Sequence, residues 1–234
     1  MRIDCAPGLE EAAERIRLRL ACEPDDAVRI EITAAGVRIG KEGESGHVVV
    51  ELREVDRRAR QGQRLALARA CGVRAGLRVL DAAAGFGLDG LALAALGCRV
   101  HLVERSPLIF TMLEDAVERW RSANAPAGAR VTIALADCLS LPRTADYDVV
   151  YLDPMFPKRR KSALPNRRAQ LLAALVGRCA DTGIAELMSF AGGAARERVV
   201  VKRRRRDPVL GTPAWQIVGE RVRFDVYRPA SWGG

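Results

Sequence analysis

Asp81-Ala82-Ala83-Ala84-Gly85-Phe86-Gly87-Leu88-Asp89-Gly90 is the stretch that decides the fold. It follows a short apolar run at 78–82 and leads into Leu88, Leu91, Ala92 and Ala95 at helical spacing, so it reads as strand, glycine-rich turn and helix. Four further apolar runs repeat the strand pattern at 99–103, 130–134, 147–152 and 198–201, with helical segments between them. One of those helices has Ser106 as N-cap and Pro107 in its first turn, then Ile109, Met112, Leu113, Ala116 and Trp120 along it. Another runs through Leu171, Leu172, Leu175 and Cys179. Strands alternating with helices predict an α/β fold with a parallel sheet and crossover connections. At the tail, 216–218 and 223–227 read as an antiparallel closing pair.

Upstream, residues 1–60 read as a small α+β region appended to a main domain at 61–234. Leu9, Ala13, Ile16 and Leu20 define one amphipathic helix that Pro24 ends, and 28–33, 37–39 and 47–52 read as strands separated by glycine-bearing turns. Arg57, Arg58, Arg60 and Arg64 form a basic joint far from any motif, and a helix over 63–71 stops at Gly72, a C-cap residue.

At 234 residues and 49% hydrophobic composition the chain can bury a real core, which excludes disordered and fibrous classes. No run approaches the ~18 apolar residues of a membrane span, and the N-terminus lacks the basic-then-apolar layout of a signal peptide. A cytoplasmic location and no membrane partner are therefore expected. The six cysteines include no C-x-x-C pair, and the two histidines are His47 and His101, so neither a zinc site nor a disulfide framework is expected. Lys and Arg exceed Asp and Glu by 38 to 29, which points to a polyanionic partner, nucleic acid first.

In an open α/β sheet the ligand sits at the carboxyl ends of the strands, where Gly85 and Gly87 let the backbone approach it. Two cofactors compete, because Gly85, Gly87 and Gly90 also fit the dinucleotide pattern G-x-G-x-x-G. Asp81, at the strand end, suits a cationic amino group better than a pyrophosphate, and S-adenosylmethionine carries such a group. Glu104 closes the second strand, where a carboxylate can accept from both ribose hydroxyls of either cofactor. Asp137, with Cys138 after the third strand, would lie beside the adenine; by itself it also reads as a turn residue.

Asp153-Pro154-Met155-Phe156-Pro157 follows the fourth strand. It is similar to the Asp/Asn-Pro-Pro-aromatic motif of amino-group methyltransferases, with Met155 in place of the middle proline. The Asp153 carboxylate and the Pro154 carbonyl can both accept from an NH₂ group, and Phe156 can stack on a planar substrate. Together with Leu96-Gly97-Cys98-Arg99-Val100, Glu104-Arg105, Lys161-Ser162-Ala163-Leu164, 199–203 and 223–227, these stretches make residues 60 to 228 resemble the bacterial small-subunit ribosomal RNA guanine-N2 methyltransferase family, RsmJ. The resemblance implies a Rossmann-like class I methyltransferase sheet and S-adenosylmethionine contacts at Leu88, Asp89, Glu104, Arg105, Asp137, Cys138 and Asp153. The substrate it implies is one guanine of 16S rRNA, free or in the small ribosomal subunit. The chain departs from the family pattern at Arg60-Gln61-Gly62-Gln63-Arg64, where a glycine-rich stretch is expected, and at Arg204, where a proline is expected.

Basic clusters flank the motif: Lys158, Arg159, Arg160 and Lys161 follow it directly, then Arg167 and Arg168, and Lys202, Arg203 and the arginines through 206 follow the fifth strand. Phosphate binding is the expected role for these clusters. Two other readings stay open at this point: the same chemistry on DNA adenine or a protein glutamine amide, and a nonenzymatic RNA-binding factor on a relict cofactor fold.

Overall fold

The computed structural model describes residues 1–21, 28–44, 46–144, 146–154 and 183–229. Met155, Phe156, Lys158 through Lys161, Arg167, Arg168 and the helix expected through Leu171 to Cys179 lie outside the described residues.

The N-terminal region contains β1 (Arg2–Cys5), α1 (Glu10–Arg19), β2 (Val28–Thr33), β3 (Gly36–Lys41) and β4 (His47–Val48). Its sheet has the order β1-β2-β3-β4, with β1 parallel to β2 and the other pairs antiparallel. Strand β1 was not expected: Arg-Ile-Asp-Cys is too short to show a period, and only its pairing with β2 makes it a strand. The strand expected at 47–52 shrinks to two residues, because Val50 turns into the core unpaired and α2 (Arg53–Ala59) begins directly after. A single 3-10 turn at Gly62–Arg64 and α3 (Ala66–Cys71) replace the helix expected at 63–71, and α3 ends at Gly72 in a left-handed conformation, φ 64°.

The main sheet is built from β5 (Arg78–Asp81), β6 (Arg99–Glu104), β7 (Val131–Leu135), β8 (Tyr147–Leu152), β9 (Ala195–Arg204), β10 (Trp215–Val218) and β11 (Val222–Tyr227). Their order is β10-β11-β9-β8-β5-β6-β7; β5 through β9 run parallel, and β11 and β10 close the edge antiparallel. β5 is flanked by β6 on one side and β8 on the other, so the chain reverses its winding there and opens a crevice at the strand ends. β9 outruns its expected four residues because it pairs on both sides, with β8 and with β11.

Alternation along the strands feeds two cores. Val79, Val149, Tyr151 and Val200 face α2, α3, α4 (Leu88–Ala95) and α5 (Pro107–Ala123), whereas Leu80, Val150, Leu152, Val199 and Val201 face α7 (Ile184–Ala194). A short α6 (Ala125–Gly128) leads from α5 into β7. Helix α5 is buried on two sides: Phe110, Leu113, Val117 and Trp120 pack on the main sheet, while Leu108, Met112 and Ala116 pack on the N-terminal sheet. Helix α2 lies with its Val55 in the core of the main sheet, which carries N-terminal residues up to the crevice.

Candidate active site

A cavity of about 330 Å³ occupies the crevice. Four consecutive strand ends supply it. β5 delivers Asp81, β6 delivers Glu104 and Arg105, the turn after β7 delivers Asp137 and Cys138, and β8 delivers Asp153 and Pro154. Gly85, Leu88 and Asp89 complete the wall on the side of α4, and Phe86, Ile109 and Ala136 give it apolar surface.

The glycines divide their labour. Gly85, at φ 55°, lines the cavity and its amide donates to Glu104 Oε2 at 2.9 Å. Gly87, expected to touch the cofactor, is not among the lining residues. It is the left-handed residue before α4, at φ 72°, and a Cβ there would lie 2.5 Å from Leu113 Cδ1 in the core. Gly90 lets α4 settle on β6, since a Cβ would come within 2.2 Å of Leu102 Cδ2. Here G-x-G-x-x-G is chiefly a packing device, with one glycine facing the cavity.

Asp81 is 1% exposed, and its Oδ1 has no hydrogen-bond partner among the described residues. Burial, reinforced by Asp89 and Asp153, pushes its carboxyl well above the usual range. Glu104 is tied by Oε1 to the Ser106 amide at 2.8 Å and by Oε2 to Gly85; burial raises its carboxyl against the pull of those amides. With about four lone-pair sites in all, the carboxylate can still accept from a ligand hydroxyl beside these amides. Asp137 does both things the sequence allowed: Oδ1 caps the turn at the Leu139 amide, 2.9 Å away, and the residue also lines the cavity.

Two site residues escaped the sequence reading, and a third, Lys202, was expected in another role. Tyr151 is fully buried and donates its hydroxyl to Asp89 Oδ2 at 2.8 Å. Arg58, placed by the sequence far from any motif, lines the cavity, because α2 packs against α4 and brings its Nε to 3.3 Å from Asp89 Oδ1. Lys202, expected on a phosphate-binding rim, lies in the cavity instead, with Nζ 2.7 Å from Asp89 Oδ2 and 2.8 Å from Asp153 Oδ2. Arg203, expected on the same rim, is instead 6% exposed and donates to the Pro208 carbonyl at 3.0 Å. The reason is strand alternation on an interior strand, which sends Lys202 and Arg203 into opposite covered faces. The exposed basic residues of this segment are Arg204, Arg205 and Arg206.

Charges in the cavity offset one another. Burial would raise the Asp89 carboxyl, but Lys202 and Arg58 outweigh it and hold it below the usual range. Burial raises Asp153, Asp89 adds to that, and Lys202 opposes both. Burial would lower the Lys202 ammonium, yet the two carboxylates raise it instead.

Acidic strand ends, one orphaned buried carboxylate oxygen and apolar walls fit a ligand that carries cationic groups, ribose hydroxyls and a flat base. That is the chemistry of S-adenosylmethionine, and the fold and site define a class I methyltransferase dependent on it. The SAM-dependent methyltransferase family model matches residues 12–229. Ribosomal RNA small subunit methyltransferase J of Pseudomonas aeruginosa is 38% identical, covering 98% of this chain and 93% of the relative; its namesake from Pseudoalteromonas translucida is 36% identical over 97% and 96%. A SAM-dependent methyltransferase structure from Neisseria gonorrhoeae superposes with a TM-score of 0.73 at 27% identity, covering 100% of this chain and 97% of that one. The chain belongs to the ribosomal RNA small subunit methyltransferase J family.

Proposed function

We propose that this chain methylates the N2 amino group of a guanine in the 16S rRNA of the small ribosomal subunit, with S-adenosylmethionine as donor. The observation that carries it is the position of Asp153 and Pro154 at the end of β8, in the same cavity as Asp81 and Glu104. When bound, the cofactor supplies an electrophilic methyl group on a sulfonium. Asp81 would hold its amino group, Glu104 its ribose hydroxyls, and Asp137 with Cys138 its adenine edge. Asp153 and the Pro154 carbonyl accept from the substrate NH₂, which fixes the nitrogen and keeps its lone pair free for the methyl. The surplus proton leaves to solvent or to Asp153. A guanine inside a helix has to be unstacked first, at a cost of a few kcal/mol.

Charge distribution supports contact with RNA through the main domain. Residues 1–60 contain 11 basic and 13 acidic side chains, so the whole positive excess belongs to 61–234. We take Arg204, the last residue of β9, and Arg205 and Arg206 on the fixed loop after it as phosphate contacts. Arg223 donates to the carbonyls of Arg205, Asp207 and Pro208, and Tyr227 to that of Leu210, which holds the loop backbone from below. Among the described residues no helix is long and apolar enough to cross a membrane.

The experiment is transfer of radiolabelled methyl from S-adenosylmethionine to free 16S rRNA, small subunits, DNA and protein, followed by mass mapping of the methylated base. The expected product is N2-methylguanine in 16S rRNA. Label confined to DNA adenine or protein glutamine would replace this substrate, and no cofactor binding would leave an RNA-binding factor.

A further inference from the structure

Four charged side chains from four parts of the chain stand in alternating order across the cavity. Arg58 comes from α2, Asp89 from α4, Lys202 from β9 and Asp153 from the end of β8, and their successive contacts are 3.3, 2.7 and 2.8 Å. Tyr151 adds a hydroxyl to Asp89 Oδ2, so both oxygens of Asp89 are engaged. Asp153 is held on one side only: Lys202 takes Oδ2, and Oδ1 accepts no hydrogen bond among the described residues.

We propose that Lys202 is a positioning residue for the methyl transfer: it grips Asp153 through Oδ2, anchored in turn by Asp89, and so leaves Oδ1 to accept from the substrate amine. This rests on the reading of Asp153 as the amine acceptor. A lysine has four rotatable bonds and would not fix a partner unaided; a second carboxylate, itself immobilised by Arg58 and Tyr151, removes that freedom. The ammonium also favours the charged form of Asp153. Burial and the nearby Asp89 both favour its protonated form, Asp81, itself pushed toward its protonated form, faces the same cavity, and Lys202, with Arg58 farther off, opposes them. A protonated Asp153 would offer a donor where the substrate NH₂ needs an acceptor. Lys202 takes no proton in the reaction, because it is already charged and held so by two carboxylates. Through Arg58 the N-terminal region supports the same geometry.

The test compares the full-length wild type with Lys202→Gln and Lys202→Arg. With carboxyl-labelled aspartate, the Asp153 signal, assigned by its loss in Asp153→Asn, is titrated by NMR. In Lys202→Gln the midpoint moves to higher pH; in Lys202→Arg it returns toward wild type. In turnover, Lys202→Gln loses about 10²-fold in kcat, the KM for cofactor changes far less, and the acid limb of the kcat profile moves to higher pH. An unmoved Asp153 midpoint overturns the proposal, whatever the substrate. Absence of rRNA methylation by the wild type counts instead against the substrate reading, and the titration still decides the role of Lys202. Should Lys202→Gln not fold, Asp89→Asn keeps the ammonium and removes its anchor. There kcat falls while Asp153 titrates lower, and an unchanged kcat overturns the proposal.

Discussion

Asp81→Asn exchanges stability for function in opposite directions, and both can be measured. The carboxylate is 1% exposed, carries one oxygen without a partner among the described residues, and shares its cavity with Asp89 and Asp153. Leaving a buried polar group unsatisfied costs about 1–3 kcal/mol, more when it is charged. A neutral amide of nearly the same shape removes the charged part of that cost, including the repulsion from Asp89 and Asp153. For a chain of this length each kcal/mol moves Tm by roughly 2–4 °C, so relief of about 1–3 kcal/mol makes the cofactor-free variant melt about 2–12 °C above wild type. The pH dependence fixes the sign. Because the folded-state pKa of Asp81 is raised above its unfolded value, its favourable contribution is full below the unfolded pKa. That contribution is lost as pH rises through the folded pKa. The gap between variant and wild type therefore opens with rising pH. Binding moves the other way: a charge-assisted hydrogen bond to the cofactor amino group is worth about 1.5–3 kcal/mol, so Kd rises roughly 10- to 150-fold. Differential scanning calorimetry across pH and isothermal titration with S-adenosylmethionine read the two effects. An unchanged Kd refutes the placement of the amino group, and a variant that melts below wild type refutes Asp81 as an uncompensated buried charge.

Asp153→Ala is expected to lose turnover while keeping most cofactor affinity, checked by methyl transfer and calorimetry on one preparation; near-normal turnover would remove Asp153 from the chemistry. Replacing Arg204, Arg205 and Arg206 with alanine should flatten the log-log salt dependence of RNA binding by roughly 0.7 to 0.9 for each phosphate that is no longer neutralised, with cofactor affinity unchanged. An unaltered slope would make them a solvated face. Gly87→Ala forces a side chain into left-handed backbone, at about 1–2 kcal/mol, and drives a Cβ against Leu113 in the core, at about 1–3 kcal/mol. Urea unfolding should show the sum of the two; a wild-type midpoint would mean the α4 entrance is slack.

The order of chemistry along this chain was legible because it is local. A strand's apolar run, the glycine turn after it and an acidic residue at its end lie within ten residues of one another, so the sequence alone places Asp81, Gly85, Glu104 and Asp137 at or just after strand ends, and all four line the cavity. The Ser106 cap and the left-handed Gly72 were legible for the same reason, and both occur as read. What the sequence could not show is which face of a long strand is covered. β9 is interior, so neither Lys202 nor Arg203 reaches the rim, although the run of basic residues reads as one surface cluster. Nor could it show that α2 would dock on α4. Arg58 meets Asp89 across 31 positions of sequence, and Lys202 meets Asp89 across 113, through packing of apolar faces that carry no mark of the charges they bring together. Residue types and their spacing determined the ligand chemistry. The long-range burial of Val55, Tyr151 and Val200 in one core decided which charges would face each other across it.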